Sequence, residues 1–236
     1  NTKTCAVTVT VTDNENPTIA NCPADPAAVC GNGPVWWIPP TAADNCGVVS
    51  FTASHNPGDV FPVGSTVVTY TATDAAGLTA ECTFTVTVNP SPTVTGVVTN
   101  VACHGNSTGS IDITPASGTP PYTFNWSGPG VVAANEDQTS LPAGTFLVTV
   151  TDANGCSATA SFGITEQTEV TLVVTNVSNE TCDETNNGSA SVTASGGVGP
   201  YTFNWSGGTV NSVSPNSTAT GLSAGTYTVT ATDPVT

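Results

Sequence analysis

The sequence predicts an all-β protein built from antiparallel β-sandwiches that follow one another along the chain. Val and Thr alternate with other residues in several segments, such as STVVTYTATD at 65–74, and a two-residue period is typical of half-buried strands. The 236 residues include 23 Gly and 18 Pro, which recur between these segments as turn residues. Several short strands separated by turns favour sandwiches.

Two segments predict complete β-hairpins. In the first, residues 65–88 form two alternating strands that meet at a turn around Asp74–Gly77. In the second, residues 144–164 repeat the design around Asp152–Gly155. Each hairpin needs further strands to bury its apolar face, and the surrounding sequence supplies them.

The charge of the chain restricts its partners. Seventeen acidic residues against a single Lys and no Arg give a net charge of −16. Phosphate contacts require Lys and Arg, so nucleic acid is excluded, and docking on an anionic membrane surface is disfavoured. Divalent cations are the natural partners of such a surface. No run approaches the roughly 18 apolar residues of a membrane helix, so we expect no membrane insertion.

The cysteine content predicts disulfides and an oxidising compartment. Eight cysteines are scattered through an acidic β-type chain that has only two His. A zinc site would instead require closely paired Cys or Cys/His ligands. We therefore expect an extracellular protein, either secreted or held at a cell surface.

Residues 98–168 and 174–236 are copies of one β unit. The octapeptide PYTFNWSG occurs at 121–128 and again at 200–207. A repeat of this kind predicts an array of similar domains.

The first unit carries three motifs, DNCG at 44–47, FPVGSTV at 61–67 and CTFTVTV at 82–88. In combination they resemble the hyalin repeat, an immunoglobulin-like extracellular module, over residues 17–89. The two later units resemble the SprB-type repeats of Bacteroidetes gliding adhesins. These resemblances imply tandem immunoglobulin-like antiparallel sandwiches in an elongated array, with a hyalin-type domain at 17–90 and SprB-type repeats at 91–168 and 169–236.

Residues 5–12 predict an additional strand that lies ahead of the first domain. Cys5, Val7 and Val9 alternate with Ala and Thr, whereas the third unit, which ends in VTATDPVT, supplies one arm of its last hairpin. Joining one copy to the next places Cys5 eight positions after Asp233.

The same spacing of eight separates Cys82 from Asp74 in the first unit. We therefore expect residues 1–16 to complete the third domain of a neighbouring copy, head to tail, and to form an acidic linker. Such a contact builds a fibre, either from separate chains or along one tandem polypeptide. The alternative is that residues 1–13 close an unrelated hyalin-type domain.

The cysteines are expected to form four pairs. The hyalin-type resemblance implies Cys46 with Cys82. The remaining predicted pairs are Cys22 with Cys30, Cys103 with Cys156, and Cys5 with Cys182 between copies.

The segment TDNENPT at 12–18 predicts a calcium site, because it resembles the acidic linkers of cadherin-like modules. Carboxylate and amide oxygens would come from Asp13, Asn14, Glu15 and Asn16, and Ca²⁺ takes six to eight oxygen ligands. The alternative is a solvated turn before Pro17.

Aromatic residues raise the question of polysaccharide binding. The alternating residues Tyr122, Phe124 and Trp126 are expected in a sandwich core, as are their counterparts in the third unit. Trp36 and Trp37 are adjacent, so their side chains should point to opposite faces of a strand. An array that binds surface polysaccharide is therefore the alternative to a structural fibre or adhesin stalk. We expect no enzyme, since His55 and His104 lie in loop-like sequences and no catalytic motif occurs.

Overall fold

The structure, a computed structural model, describes residues 2–10, 12–181 and 186–234. These residues form eighteen β-strands, and this part of the chain holds no helix long and apolar enough to cross a membrane. The strands fall into six small sheets, which pair into three sandwiches. The predicted all-β class is confirmed.

The first sandwich combines a two-stranded sheet, β1–β3, with a four-stranded sheet in the order β2–β6–β5–β4. The predicted first hairpin forms its centre, with Cys82 opposite Tyr70 and a turn closed by the Gly77 N–H, which donates to the Asp74 carbonyl. β2 pairs with β6 in parallel, and the other pairs are antiparallel. The strands are β1 (Thr18–Ala20), β2 (Val29–Cys30), β3 (Thr41–Ala43), β4 (Val48–Ala53), β5 (Gly64–Asp74) and β6 (Thr79–Asn89).

Alternation places one face of the β5–β6 hairpin in the core. The inward residues are buried, and Trp37 packs against this cluster with its ring 5.2 Å from that of Phe84. The Trp37 indole N–H donates to the Tyr70 hydroxyl at 2.9 Å, which satisfies its polar end. The buried core comprises Val35, Phe61, Val68, Tyr70, Cys82, Phe84, Val86 and Val88.

The second sandwich has two three-stranded sheets, in the orders β10–β8–β7 and β12–β11–β9. β11 and β12 are the arms of the predicted second hairpin, so β11 has a neighbour on both edges. The strands are β7 (Pro92–Thr99), β8 (Gly109–Ser117), β9 (Thr123–Ser127), β10 (Gln138–Leu141), β11 (Gly144–Thr151) and β12 (Ser157–Ile164).

The third sandwich repeats this plan with a different strand set. Its sheets have the orders β13–β14–β17–β16 and β15–β18. Five of its strands have counterparts in the second sandwich, and β16 is an addition. The pairs are β13 with β7, β14 with β8, β15 with β9, β17 with β10 and β18 with β11. The strands are β13 (Thr171–Ser178), β14 (Gly188–Ser195), β15 (Thr202–Trp205), β16 (Thr209–Val213), β17 (Asn216–Leu222) and β18 (Val229–Thr232).

The chain divides into two compact units. One comprises Asn1–Thr93, Ala116–Tyr122 and Thr151–Ala158, and the other comprises Val94–Pro115, Thr123–Val150 and Thr159–Thr236. The domain boundaries at 90/91 and 168/169 stay predictions.

Candidate functional site

A groove of about 440 Å³ lies in the third sandwich. Residues of both sheets line it, so it is a gap in the sandwich interior. Its apolar lining comprises Val174, Val177, Val192, Trp205, Leu222 and Val229. The rest of the wall is formed by residues 178–180, 188–190 and 223–225, together with Tyr227.

The corresponding positions of the second sandwich are filled. Phe146 and Val148 on β11 are fully buried, whereas Tyr227 and Val229, their counterparts on β18, are only half-buried. Trp126 is 4% exposed, but its counterpart Trp205 is half-buried. The third sandwich therefore has the inward residues of its repeat without a complete core around them.

The strand β12 accounts for the difference. Its Phe162 ring lies 6.0 Å from the Trp126 ring, and its Ile164 side chain packs over Gly109, where an added Cβ would come within 2.9 Å of it. In the third sandwich, Gly188 is the counterpart of Gly109 and lines the groove. Among the described residues, β18 pairs with β15 alone.

An unpaired strand edge beside an apolar groove is a site for strand addition. The backbone N–H and C=O groups on such an edge can bond an incoming extended segment, while the groove receives its alternate side chains. The chemistry of this site is recognition of an apolar, period-two strand.

The segment at residues 5–12, predicted as a strand, forms no sheet in its described part. Residues 2–10 lie outside every strand, and Val7 and Val9 are each 81% exposed. Cys5 is exposed and is not in a disulfide. Val7 and Val9 are thus two apolar side chains that nothing in the described part of the chain covers.

Two of the four predicted calcium ligands, Asp13 and Glu15, reach the DNCG loop, and the other two do not. The carboxylate of Asp13 lies beside the DNCG loop, where ligand atoms of Asp13, Asp44 and Cys46 are all within 4.8 Å of one another. Glu15 reaches the same loop, since the Asn45 amide donates to Glu15 Oε2 at 2.9 Å.

Asn14 and Asn16, by contrast, are exposed. Asp44 is not among the predicted ligands, although its place in the DNCG motif could have indicated it.

The disulfides correct the predicted pairing. Cys22 bonds to Cys82, and Cys30 bonds to Cys156. Cys46 with Cys82 is therefore wrong. The Cys46 loop precedes Val48, which pairs with Asp74, while Cys82 lies opposite Tyr70, four residues and roughly 13 Å farther along β5.

Cys22 with Cys30 is wrong for the same kind of reason. The partner of Cys22 is Cys82, whereas Cys30 pairs in register with Asn89, seven residues and roughly 23 Å farther along β6.

Cys103 with Cys156 is also wrong. Cys156 precedes β12, and Cys103 lies beside the residues that follow β12, since the Val101 N–H bonds to the Thr165 carbonyl. The remaining predicted pair, Cys5 with Cys182, involves a residue outside the described part of the chain, and it stays a prediction.

The aromatic residues divide between core and surface. Trp126 is buried, and Tyr122 and Phe124 are half-buried. Trp37 is packed in the first core, while Trp36 is 71% exposed with its ring against Gly58, so the two Trp residues do face different surroundings.

Both His residues lie in loops outside the strands. His104 Nδ1 lies 3.1 Å from Glu166 Oε1, and His55 packs against Phe61 with ring centroids 4.9 Å apart.

Comparison with known proteins identifies the repeats. Residues 12–88 match the family model of the HYR domain, and residues 95–131 and 174–210 each match that of the SprB repeat. The chain contains an HYR domain and two SprB repeats. The resemblances read from the sequence motifs are thereby confirmed.

Two relatives are similar in sequence to a part of this chain. Hyalin of Strongylocentrotus purpuratus is 37% identical over 166 residues, which cover 64% of this chain and 14% of that protein. Hyalin of Lytechinus variegatus is 34% identical over 143 residues, covering 56% of this chain and 27% of that protein. The chain thus spans about a quarter or less of the length of these relatives.

A solved structure supports the immunoglobulin-like fold. The crystal structure of the eight N-terminal immunoglobulin domains of Down Syndrome Cell Adhesion Molecule aligns with a TM-score of 0.53 at 11% identity. The alignment covers 94% of this chain and 35% of that one. The HYR domain and the SprB repeats are therefore immunoglobulin-like domains in tandem.

Proposed function

We propose that this chain is a structural repeat unit of an extracellular fibre or giant cell-surface adhesin stalk, and that copies are joined head to tail. The joint is residues 5–12 of one copy, added as a strand along β18 of the next copy and the residues that lead into β18. The observation that carries the proposal is the groove in the second SprB repeat, beside a strand with one neighbour. Tandem immunoglobulin-like domains of adhesion type, two disulfides and a non-catalytic set of motifs agree with a structural role.

The occupant is argued from its pattern. Cys5, Val7 and Val9 repeat the spacing of Cys82, Phe84 and Val86, the inward residues of β6 in the HYR domain. Burying each Val would contribute about 1.5–3 kcal/mol. Those two side chains are exposed in the single chain, so their burial on docking is a net gain.

The HYR hairpin supplies a register for the joint. Cys82 lies opposite Tyr70, four residues before Asp74. The same register on β18 would set Cys5 opposite Val229, which precedes Asp233 by four residues. Val7 would then lie opposite Tyr227, so the added strand continues past β18 along the residues that lead into it. The side chains of Cys5 and Val7 would point into the groove, which Tyr227 and Val229 line.

Assembly in solution tests the proposal. The 236-residue chain is expected to form species whose masses are multiples of 23.5 kDa as its concentration rises, measured by light scattering. Val9→Asp would place a charge in the groove and should leave a 23.5 kDa monomer. Because Val9 is exposed in the single chain, this change should not disturb folding.

Thr8→Asp is the matched control, since Thr8 would point away from the groove, and it should assemble as the wild type does. If the wild type remains monomeric, or Val9→Asp assembles unchanged, residues 5–12 belong to another domain and the proposed joint is wrong.

A second candidate is an array that binds surface polysaccharide. The observation in its favour is Trp36, which is 71% exposed although its ring lies against Gly58, because sugar rings stack on exposed aromatic faces. A glycan array separates the two functions: binding that Trp36→Ala abolishes would support this candidate, and uniform absence of binding would remove it.

A further inference from the structure

We propose that the DNCG loop, the N-terminal end of the HYR domain and the end of β5 form a Ca²⁺ site, with Asp13, Asp44 and Asp74 as its carboxylate ligands. The proposal does not depend on strand addition at the second SprB repeat. It replaces the contiguous set at 13–16 with residues from three parts of the chain.

Two of the ligands already converge. Ligand atoms of Asp13 and Asp44 lie within 4.8 Å of each other, and the backbone N–H groups of Cys46 and Gly47 hold Asp44 Oδ2 at 2.6 and 3.2 Å. Two carboxylates at this separation repel each other unless a cation or a proton lies between them. Glu15, held through Asn45, adds a further acidic group to the same loop.

Asp74 supplies the independent observation. It is 1% exposed, and its Oδ2 is buried without a hydrogen-bond partner in the described structure. Oδ2 of Asp13 is buried and unpartnered as well. A buried carboxylate oxygen left unsatisfied is costly, so the geometry points to a group that is not a protein donor.

Asp152 occupies the position in the second hairpin that Asp74 occupies in the first, and both of its carboxylate oxygens accept hydrogen bonds. Both residues follow the first strand of a hairpin, but Asp152 Oδ2 accepts the Thr119 N–H at 2.9 Å. Asp74 Oδ1 accepts the Leu78 N–H at 2.8 Å, and its Oδ2 has no counterpart of Thr119. A cation held by the DNCG loop would bind Asp74 Oδ2, where Asp152 Oδ2 has the Thr119 N–H.

Asp74 ends β5 beside the start of β4, which follows the loop. It pairs with Val48 on β4, two residues after Cys46.

The donor set favours Ca²⁺ over zinc. Asp13, Asp44 and Asp74 offer carboxylate oxygens, which hard cations prefer, and water can fill the other positions. We expect an affinity on the order of 0.1–1 mM, the range of extracellular calcium modules.

Calorimetric titration of CaCl₂ into the 236-residue chain tests the site. The wild type should give saturable heat, Asp74→Asn should weaken binding by about tenfold or more, and Asp152→Asn is the matched control that should bind as the wild type does. Asp13→Asn, at a half-buried linker position, should also weaken binding and covers the case in which Asp74→Asn fails to fold.

Cys46→Ser distinguishes the metals. It should leave Ca²⁺ binding unchanged, because the thiol is not a ligand. The proposal is overturned if CaCl₂ gives no saturable heat with the wild type, if Asp13→Asn binds Ca²⁺ as tightly as the wild type, or if only ZnCl₂ binds and Cys46→Ser abolishes that binding.

Discussion

Asp74 and Asp152 occupy the same place in two related hairpins and have different surroundings. Three backbone N–H groups, those of Thr119, Asn154 and Cys156, donate to the Asp152 carboxylate at 2.8–2.9 Å. The carboxylate thereby closes its own turn and ties it to residue 119. A single backbone donor reaches Asp74.

Asp152 gives a prediction for stability against pH. Burial alone would raise the pKa of Asp152, but the backbone donors of Thr119, Cys156 and Asn154 outweigh it and lower the pKa. A lowered pKa in the folded state stabilises the protein above the ordinary carboxyl value, and this contribution is lost as pH falls through the folded pKa. Asp152→Asn should therefore lower the thermal midpoint at pH 6 and have a smaller effect near about pH 2.

The matched control for that experiment is Asp112→Asn, which removes an exposed carboxylate from β8. If Asp152→Asn and Asp112→Asn change the midpoint equally at both pH values, the backbone bonds to Asp152 do not contribute as described.

At the scale of single elements, β12 decides how well a SprB repeat is packed. The inward residues of β11 are fully buried where β12 is present, and those of β18 are half-buried beside the groove. The two SprB repeats thus provide the same strand with and without a neighbour, within one molecule.

The pair Val148 and Val229 tests this directly. Val148→Ala should lower the unfolding free energy by about 2 kcal/mol, because it leaves a cavity in a closed core. Val229→Ala should cost less than about 1 kcal/mol in the monomer, since its side chain already borders a groove. Calorimetric unfolding of the two variants makes the comparison, and equal losses would mean that the groove is closed in solution.

Hairpins were the elements that the sequence could predict. Residues 65–88 and 144–164 largely alternate on both sides of a turn that begins with Asp and ends with Gly, and local pattern and turn chemistry determine such pairs. Boundaries of β1, β2 and β3 could not be predicted, because these strands have only two or three residues and depend on tertiary contacts.

Disulfide pairing required information that local patterns do not contain. Cys82 belongs to the inward set of β6, so its partner had to come from a chain segment packed over that face. Which cysteine reaches it depends on sheet register over a separation of 60 residues, and for Cys30 and Cys156 the separation is 126. The prediction of the calcium ligands at 13–16 had the same limit, because Asp44 and Asp74 come near Asp13 only when the chain folds.

At the scale of the whole molecule, composition and repeats agree with an extracellular structural role. A net charge of −16 keeps copies apart unless a specific joint holds them, and it attracts divalent cations. The proposed joint and the proposed Ca²⁺ site are adjacent in sequence, at residues 5–12 and 13. In a fibre, the acidic linker would follow each added strand directly.

Hydrogen–deuterium exchange across a concentration series tests the joint most directly. The proposed joint predicts that the amides of residues 5–10, and those amides of β18 that do not bond to β15, exchange freely in dilute solution and become protected together as copies assemble. Free exchange of residues 5–10 at every concentration, including those at which higher-mass species form, would contradict it.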